Sequence, residues 1–162
     1  MKLTTLLLAF SLFAPLGIAC SPQGKLQGAL TSYTYSYAGS MSRSGLYYKV
    51  ELGQDGIMRI YYSDQGRWGD IKVYRGPADA LETIDRMIVD GKLKKLRKEY
   101  KNPMHILDGW SWDLYIRYEQ GSIDTGGYMA KPSQALWAAI EGINAYIDTL
   151  IKEENYLETV EN

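Results

Sequence analysis

The chain has 162 residues, of which 46% are hydrophobic and 23% charged, and its formal net charge is −1. This composition is typical of one globular domain and excludes a long disordered protein. The near-neutral charge argues against a nucleic-acid-binding protein, and the single cysteine excludes an intrachain disulfide framework, a cysteine-cluster zinc site and an iron–sulfur cluster.

Residues 1–19 have the pattern of a secretory signal peptide. A short charged start precedes an apolar segment over 3–13, and the small residues Gly17 and Ala19 precede Cys20. The apolar segment is shorter than the roughly 20 residues that a membrane-spanning helix needs. We therefore expect this segment to be removed and the rest of the chain to be exported.

The sequence that ends at Cys20 resembles the lipobox of bacterial lipoproteins. Gly17, Ile18, Ala19 and Cys20 carry the resemblance, and Leu16 stands one place before the position where that family usually has leucine. The resemblance implies that Cys20 is diacylated on sulfur and becomes the mature N-terminus, so that the protein is anchored to a membrane without spanning it. Ordinary signal-peptidase cleavage after Ala19 is the alternative.

The residues after the cysteine predict the membrane to which the protein is sent and a flexible segment between the lipid and the domain. In diderm lipoproteins a serine in the place of Ser21 is typical of the outer membrane, which would leave the domain facing the periplasm. Residues 20–29 include Pro22 and Gly24 and have no periodic apolar pattern. We interpret them as the lipidated N-terminus and a flexible tether.

The next segment alternates with a period of two, which is typical of strands. Tyr33, Tyr35 and Tyr37 alternate with Thr34 and Ser36. Three further strands are predicted by the same criterion, at about 46–52, 58–62 and 71–75, with a hairpin turn at 53–56.

The period becomes helical after Pro77. Apolar residues at helical spacing predict one helix that ends near Gly91 and a second, short helix over 93–100. Two strands follow, at about 110–118 and 122–125, and a final helix runs over about 133–151.

This order predicts an α+β fold. We expect a single domain over residues 30–152, built from a mainly antiparallel sheet of about six strands in the order ββββααββα, with the helices packed on one face. Residues 153–162 are predicted to be an acidic C-terminal tail, because they contain four glutamates and no clear periodicity.

The sequence offers little for catalysis. His105 is the one imidazole, and no Gly-x-Ser-x-Gly motif accompanies it. Two of the three aspartates Asp108, Asp113 and Asp124 could meet as a pair of catalytic carboxylates, as in glycoside hydrolases. We assign no catalytic residue, no metal site and no cofactor, and whether the chain is an enzyme stays open.

Two groups of surface residues are candidates for binding. Tyr47, Tyr61 and Tyr115 lie on strand faces opposite the expected core, where tyrosines often form binding surfaces, although tyrosine also tolerates half-buried strand positions. The second group is a basic run that either forms a solvated helix face or contacts anionic headgroups or an acidic partner. It consists of Lys92, Lys94, Lys95, Arg97, Lys98 and Lys101.

These features lead to three hypotheses. The first is a lipid-anchored, non-catalytic domain of the cell envelope that binds another macromolecule, in particular a protein, through its sheet. The second is a carbohydrate-binding or glycan-binding module that uses the same tyrosines. The third is a carboxylate-based hydrolase.

Overall fold

The computed structural model describes residues 26–39, 45–104 and 108–161. In chain order its elements are β1 (Gln27–Ala38), β2 (Gly45–Leu52), β3 (Met58–Ser63), β4 (Ile71–Arg75), α1 (Ala80–Asp90), β5 (Glu99–Lys101), β6 (Ser111–Gln120), β7 (Ser122–Tyr128), α2 (Gln134–Leu150) and β8 (Tyr156–Val160). The eight strands form one sheet in the order β5-β7-β6-β1-β2-β3-β4-β8. All neighbouring strands are antiparallel except β5 and β7, which are parallel.

The mixed α+β class is confirmed, but the predicted number and order of strands were wrong. The segment predicted as a short helix over 93–100 is instead a 3-10 turn, Leu93–Lys95, followed by β5. Leu93 and Leu96 are both buried, so their spacing does reflect the core. Lys92 enters the turn with a left-handed φ of 55°, which a continuing α-helix could not accommodate.

The predicted C-terminal tail contains the eighth strand. Tyr156–Val160 pairs with β4 at the edge of the sheet, and the Tyr156 ring lies edge-on to Tyr74, with centroids 5.9 Å apart. Every residue of β8 is exposed. The segment therefore shows none of the apolar alternation by which strands are recognised in a sequence.

The core lies between the sheet and the two helices. Tyr33 on β1 donates a hydrogen bond to Asn144 on α2 at 2.9 Å, and Tyr118 on β6 donates to Asp85 on α1 at 2.6 Å. Tyr33 pairs with Ile116, two residues from Tyr118, so the side chains that meet α1 and α2 belong to the same face of the sheet. Between sheet and helices the core is filled mainly by aliphatic side chains and by Trp112, which is 1% exposed.

Candidate functional site

The other face of the sheet is free of both helices. Side chains alternate along a strand, so residues between the core positions point away from α1 and α2. We call this surface the open face. It comprises Ser32, Thr34, Ser36, Tyr47, Lys49, Glu51, Arg59, Tyr61, Asp113, Tyr115, Arg117 and Asp124.

The three tyrosines singled out from the sequence all lie on the open face. Tyr115, Thr34, Lys49 and Tyr61 form one row across four neighbouring strands, β6, β1, β2 and β3. Tyr47 lies one step further along β2, diagonal to Tyr61. All three rings are half-buried, so each keeps part of its surface available for contact.

A groove runs along the middle of the open face because β1 carries only small polar side chains there. Its floor is formed by Ser32, Thr34 and Ser36. The flanking strands β2 and β6 carry long side chains, and they lie two strand spacings apart, about 10 Å. The walls of this β1 groove are Tyr47, Lys49 and Glu51 on one side and Asp113, Tyr115 and Arg117 on the other.

Charges of both signs hold the walls in place. Lys49 forms an ion pair with Glu51 at 2.7 Å, and its ammonium lies 5.1 Å from the Tyr61 ring centroid. On the opposite wall the Arg117 guanidinium lies 5.7 Å from the Tyr115 ring centroid and 2.8 Å from a carboxylate oxygen of Asp124. These contacts restrict the side chains before any ligand arrives, which lowers the entropy cost of binding.

The hydroxyl groups of Tyr47 and Tyr61 are held in their neutral form. Burial raises the pKa of both phenols, and the negative charge of Glu51 raises it further. Tyr47 therefore offers a hydrogen-bond donor as well as an apolar ring at neutral pH, whereas the Tyr61 hydroxyl is already hydrogen-bonded to Glu51.

The groove leads into a cavity that sequence reasoning missed. This cavity, of about 340 Å³, is lined by Ser36, Ser111 and Asp113 and by the loop that carries Trp68. Trp68 is 79% exposed, and the Arg67 guanidinium lies 5.1 Å from its ring.

The position of Trp68 depends on two glycines. Gly66 has φ +73° and starts the 3-10 turn that presents Trp68. A Cβ on Gly45 would lie 2.9 Å from the Gly66 Cα, so the turn can rest against the start of β2 only because position 45 lacks a side chain. In the sequence, Trp68 stands between Gly66 and Gly69 in a polar segment. This pattern predicts a loop, but it does not predict where on the sheet the loop packs.

The acidic residues are only partly brought together. Asp113 and Asp124 line a second cavity, of about 540 Å³, with Glu99 from β5, but Asp124 is paired with Arg117. Asp108 is exposed and lines neither of these two cavities. Across the described parts of the chain, no group of three or more histidine, cysteine, aspartate or glutamate residues is arranged to hold a metal ion.

The basic run is exposed, but of its six cations only Lys101 lies on the edge strand β5, and the turn Leu93–Lys95 packs against α1 and α2. Lys94 lies over the Tyr118 ring at 5.9 Å, and Lys101 pairs with Glu99 at 2.9 Å. Lys98 borders the second cavity. The expected single helix face does not exist, because the segment is a turn followed by a strand.

Two residues singled out from the sequence belong to parts of the chain that the structure does not describe. Cys20 and His105 lie outside the described residues. Within the described ranges, neither helix has the length and apolar character needed to cross a membrane.

No protein-family model and no curated protein matches the sequence.

Proposed function

We propose that this chain is a non-catalytic binding domain, anchored to a membrane by a lipid on Cys20, and that its open face binds a protein of the cell envelope. The observation that carries the proposal is the β1 groove, a polar floor between two aromatic and charged walls. Tyrosine, tryptophan and arginine are the side chains that most often dominate protein interfaces.

The arrangement of charge also favours a protein partner. Lys49, Glu51, Arg117 and Asp124 place both signs along the groove, and each charge already has a partner on the same surface. A partner with its own mixed charges can meet such a surface without leaving a charge buried and unpaired.

Alanine substitution on the two walls tests the proposal. Cross-linking in the native host, followed by purification of the chain, should recover a protein neighbour with the native sequence. Tyr47→Ala with Tyr115→Ala should reduce that product at least tenfold, because tyrosine is enriched among the few interface residues whose truncation costs about 2 kcal/mol or more.

Tyr156→Ala is the matched control, because Tyr156 is exposed but lies on β8, away from the open face. It should leave the product unchanged. Equal recovery from the wall variant and the control would contradict the proposal, as would the absence of any protein neighbour.

The anchor is tested separately. Cys20→Ser should abolish fatty-acid labelling of the protein and release it from the membrane fraction, because the thioether cannot form. Unchanged retention would contradict the lipid anchor and leave the open-face proposal standing. Ser21 after the cysteine supports outer-membrane placement, which fractionation of a diderm host would check.

A glycan ligand is the second candidate, and the exposed Trp68 favours it. An exposed indole beside a polar cavity provides the stacking surface and hydrogen-bonding groups that a sugar ring requires. Trp68→Ala should then abolish binding to an isolated cell-wall glycan while leaving protein cross-links intact. Loss of the protein cross-link alone would contradict the glycan candidate.

A further inference from the structure

The two chain segments that contain the edge strands of the sheet carry opposite charge. β5 forms one edge and β8 the other, seven strand spacings apart, or roughly 34 Å. Residues 92–101, which comprise β5 and the turn before it and which we call the basic edge, contain six lysines or arginines and one glutamate. Residues 152–161, which comprise β8 and the turn before it and which we call the acidic edge, contain four glutamates and one lysine. The chain's net charge of −1 therefore conceals a strong separation of charge across the sheet.

Most of these charges face solvent without a close counter-charge. All six cations and all four glutamates are exposed. Among the ion pairs of the described residues, one lies on the basic edge, between Lys101 and Glu99, and none involves the acidic edge. Glu158 on β8 interacts electrostatically with Arg59 on the open face, whereas Glu153 and Glu154 lie in the turn before β8 and Glu161 directly follows it.

Exposed strand edges invite pairing with other chains, and the charge on each edge selects what can approach. Two basic edges repel one another, as do two acidic edges, so a symmetric contact between identical edges is disfavoured. A basic edge and an acidic edge attract. Exposed apolar side chains on β8, Tyr156, Leu157 and Val160, add surface that such a contact would bury.

We propose that the acidic edge of one copy docks against the basic edge of a second copy. β5 is parallel to β7, and six antiparallel steps lead from β7 to β8, so β5 and β8 run in the same direction. A second copy placed beside the first would therefore bring its β5 parallel to β8 and extend the sheet. Because the two edges differ, the contact is head-to-tail and can repeat.

Charge reversal with rescue tests this contact. The full chain carrying Cys20→Ser is studied by sedimentation velocity over a range of concentrations, at about 50 mM and about 500 mM salt. Its mean mass should rise with concentration at low salt and stay monomeric at high salt. Lys95→Glu with Lys98→Glu, or Glu154→Lys with Glu161→Lys, should each abolish the rise.

Rescue distinguishes edge docking from a general effect of charge. An equimolar mixture of the two reversed variants should regain the association, and so should one chain that carries all four substitutions. Arg86→Glu reverses an exposed charge on α1, outside both edge strands, and it should associate like the parent.

Three results would overturn the proposal. The first is a parent that stays monomeric at low salt and high concentration, and the second is association that survives either reversal. The third is a combination of two results. The mixture of reversed variants fails to associate, and vesicles that contain phosphatidylglycerol bind the parent but not the basic-edge variant. That result would assign the basic edge to a lipid surface.

Discussion

On the helix side of the sheet, tyrosine hydroxyls donate to polar side chains of the two helices. Tyr48 donates to Asp148 at 2.7 Å, in the same way as Tyr33 donates to Asn144. Each contact lets a large ring enter the core while its hydroxyl keeps a hydrogen-bond partner. These bonds add to the apolar packing that holds α2 on its face of the sheet.

Removal of one such hydroxyl should weaken the domain measurably. Tyr48→Phe should lower the free energy of unfolding by about 1 kcal/mol, because the ring remains but Asp148 loses its donor. Urea unfolding of the purified chain gives the measurement. Tyr156→Phe is the control, since its hydroxyl contacts only Thr159 at the exposed edge, and its effect should be within about 0.5 kcal/mol of zero. Equal losses would contradict the role given to the buried hydrogen bond.

Stability should also fall in alkali. Burial is the first cause that raises the pKa of Tyr33, Tyr48 and Tyr118, and for the last two the hydrogen bond to a carboxylate adds to it. A folded-state pKa above the unfolded value of about 10 means that the folded form holds its protons longer. The stabilisation is complete below about pH 10 and is lost as the pH rises above it.

Urea unfolding between about pH 8 and pH 11, with phenolate absorbance recorded in parallel, tests this dependence. We expect constant stability up to about pH 10, then a decline, with part of the tyrosine absorbance appearing only on unfolding. Ionisation of all the tyrosines of the folded protein with a single midpoint at about pH 10 would contradict the burial described.

At the scale of elements, strands with one buried face could be predicted from the sequence. In β1, Tyr33 and Tyr35 are buried and the polar residues that alternate with them line the groove, so the alternation predicts the strand. The same alternation within β2, β3 and β6 predicts that Tyr47, Tyr61 and Tyr115 lie on the face opposite the core. β8 lacks a buried face, and β5 has three residues, so neither has a readable period. Trp68 was missed because a loop residue's location depends on tertiary contacts, here between Gly45 and Gly66.

Truncation tests whether the C-terminal residues form a strand paired with β4 or a tail that adds no stability. A chain that ends at Lys152 should lose roughly 1–3 kcal/mol of unfolding free energy, because Tyr74 loses the Tyr156 ring and β4 becomes an edge. Removal of residues 161–162 alone should have no measurable effect, because β8 ends at Val160. Thermal or urea unfolding of both truncations checks this. Equal stability of the two would contradict the pairing of β8 with β4.

At the scale of the whole molecule, the sheet offers separate surfaces for separate contacts. One face is occupied by α1 and α2, the open face carries the β1 groove, and the two edges differ in charge. A partner on the open face and a second copy at an edge would therefore not compete for the same residues. A lipid on Cys20 would join β1 through the short segment before Gln27, which enters the sheet near its centre.

The most direct test of the binding proposal is site-specific photo-cross-linking in the native host. A photo-reactive amino acid is placed, one position at a time, at Tyr47, Tyr61, Tyr115 or Tyr156. We predict that the three open-face positions give adducts with the same partner protein and that position 156 does not. Adducts with that partner from position 156 alone, or from none of the three open-face positions, would contradict the assignment of the open face as the binding surface.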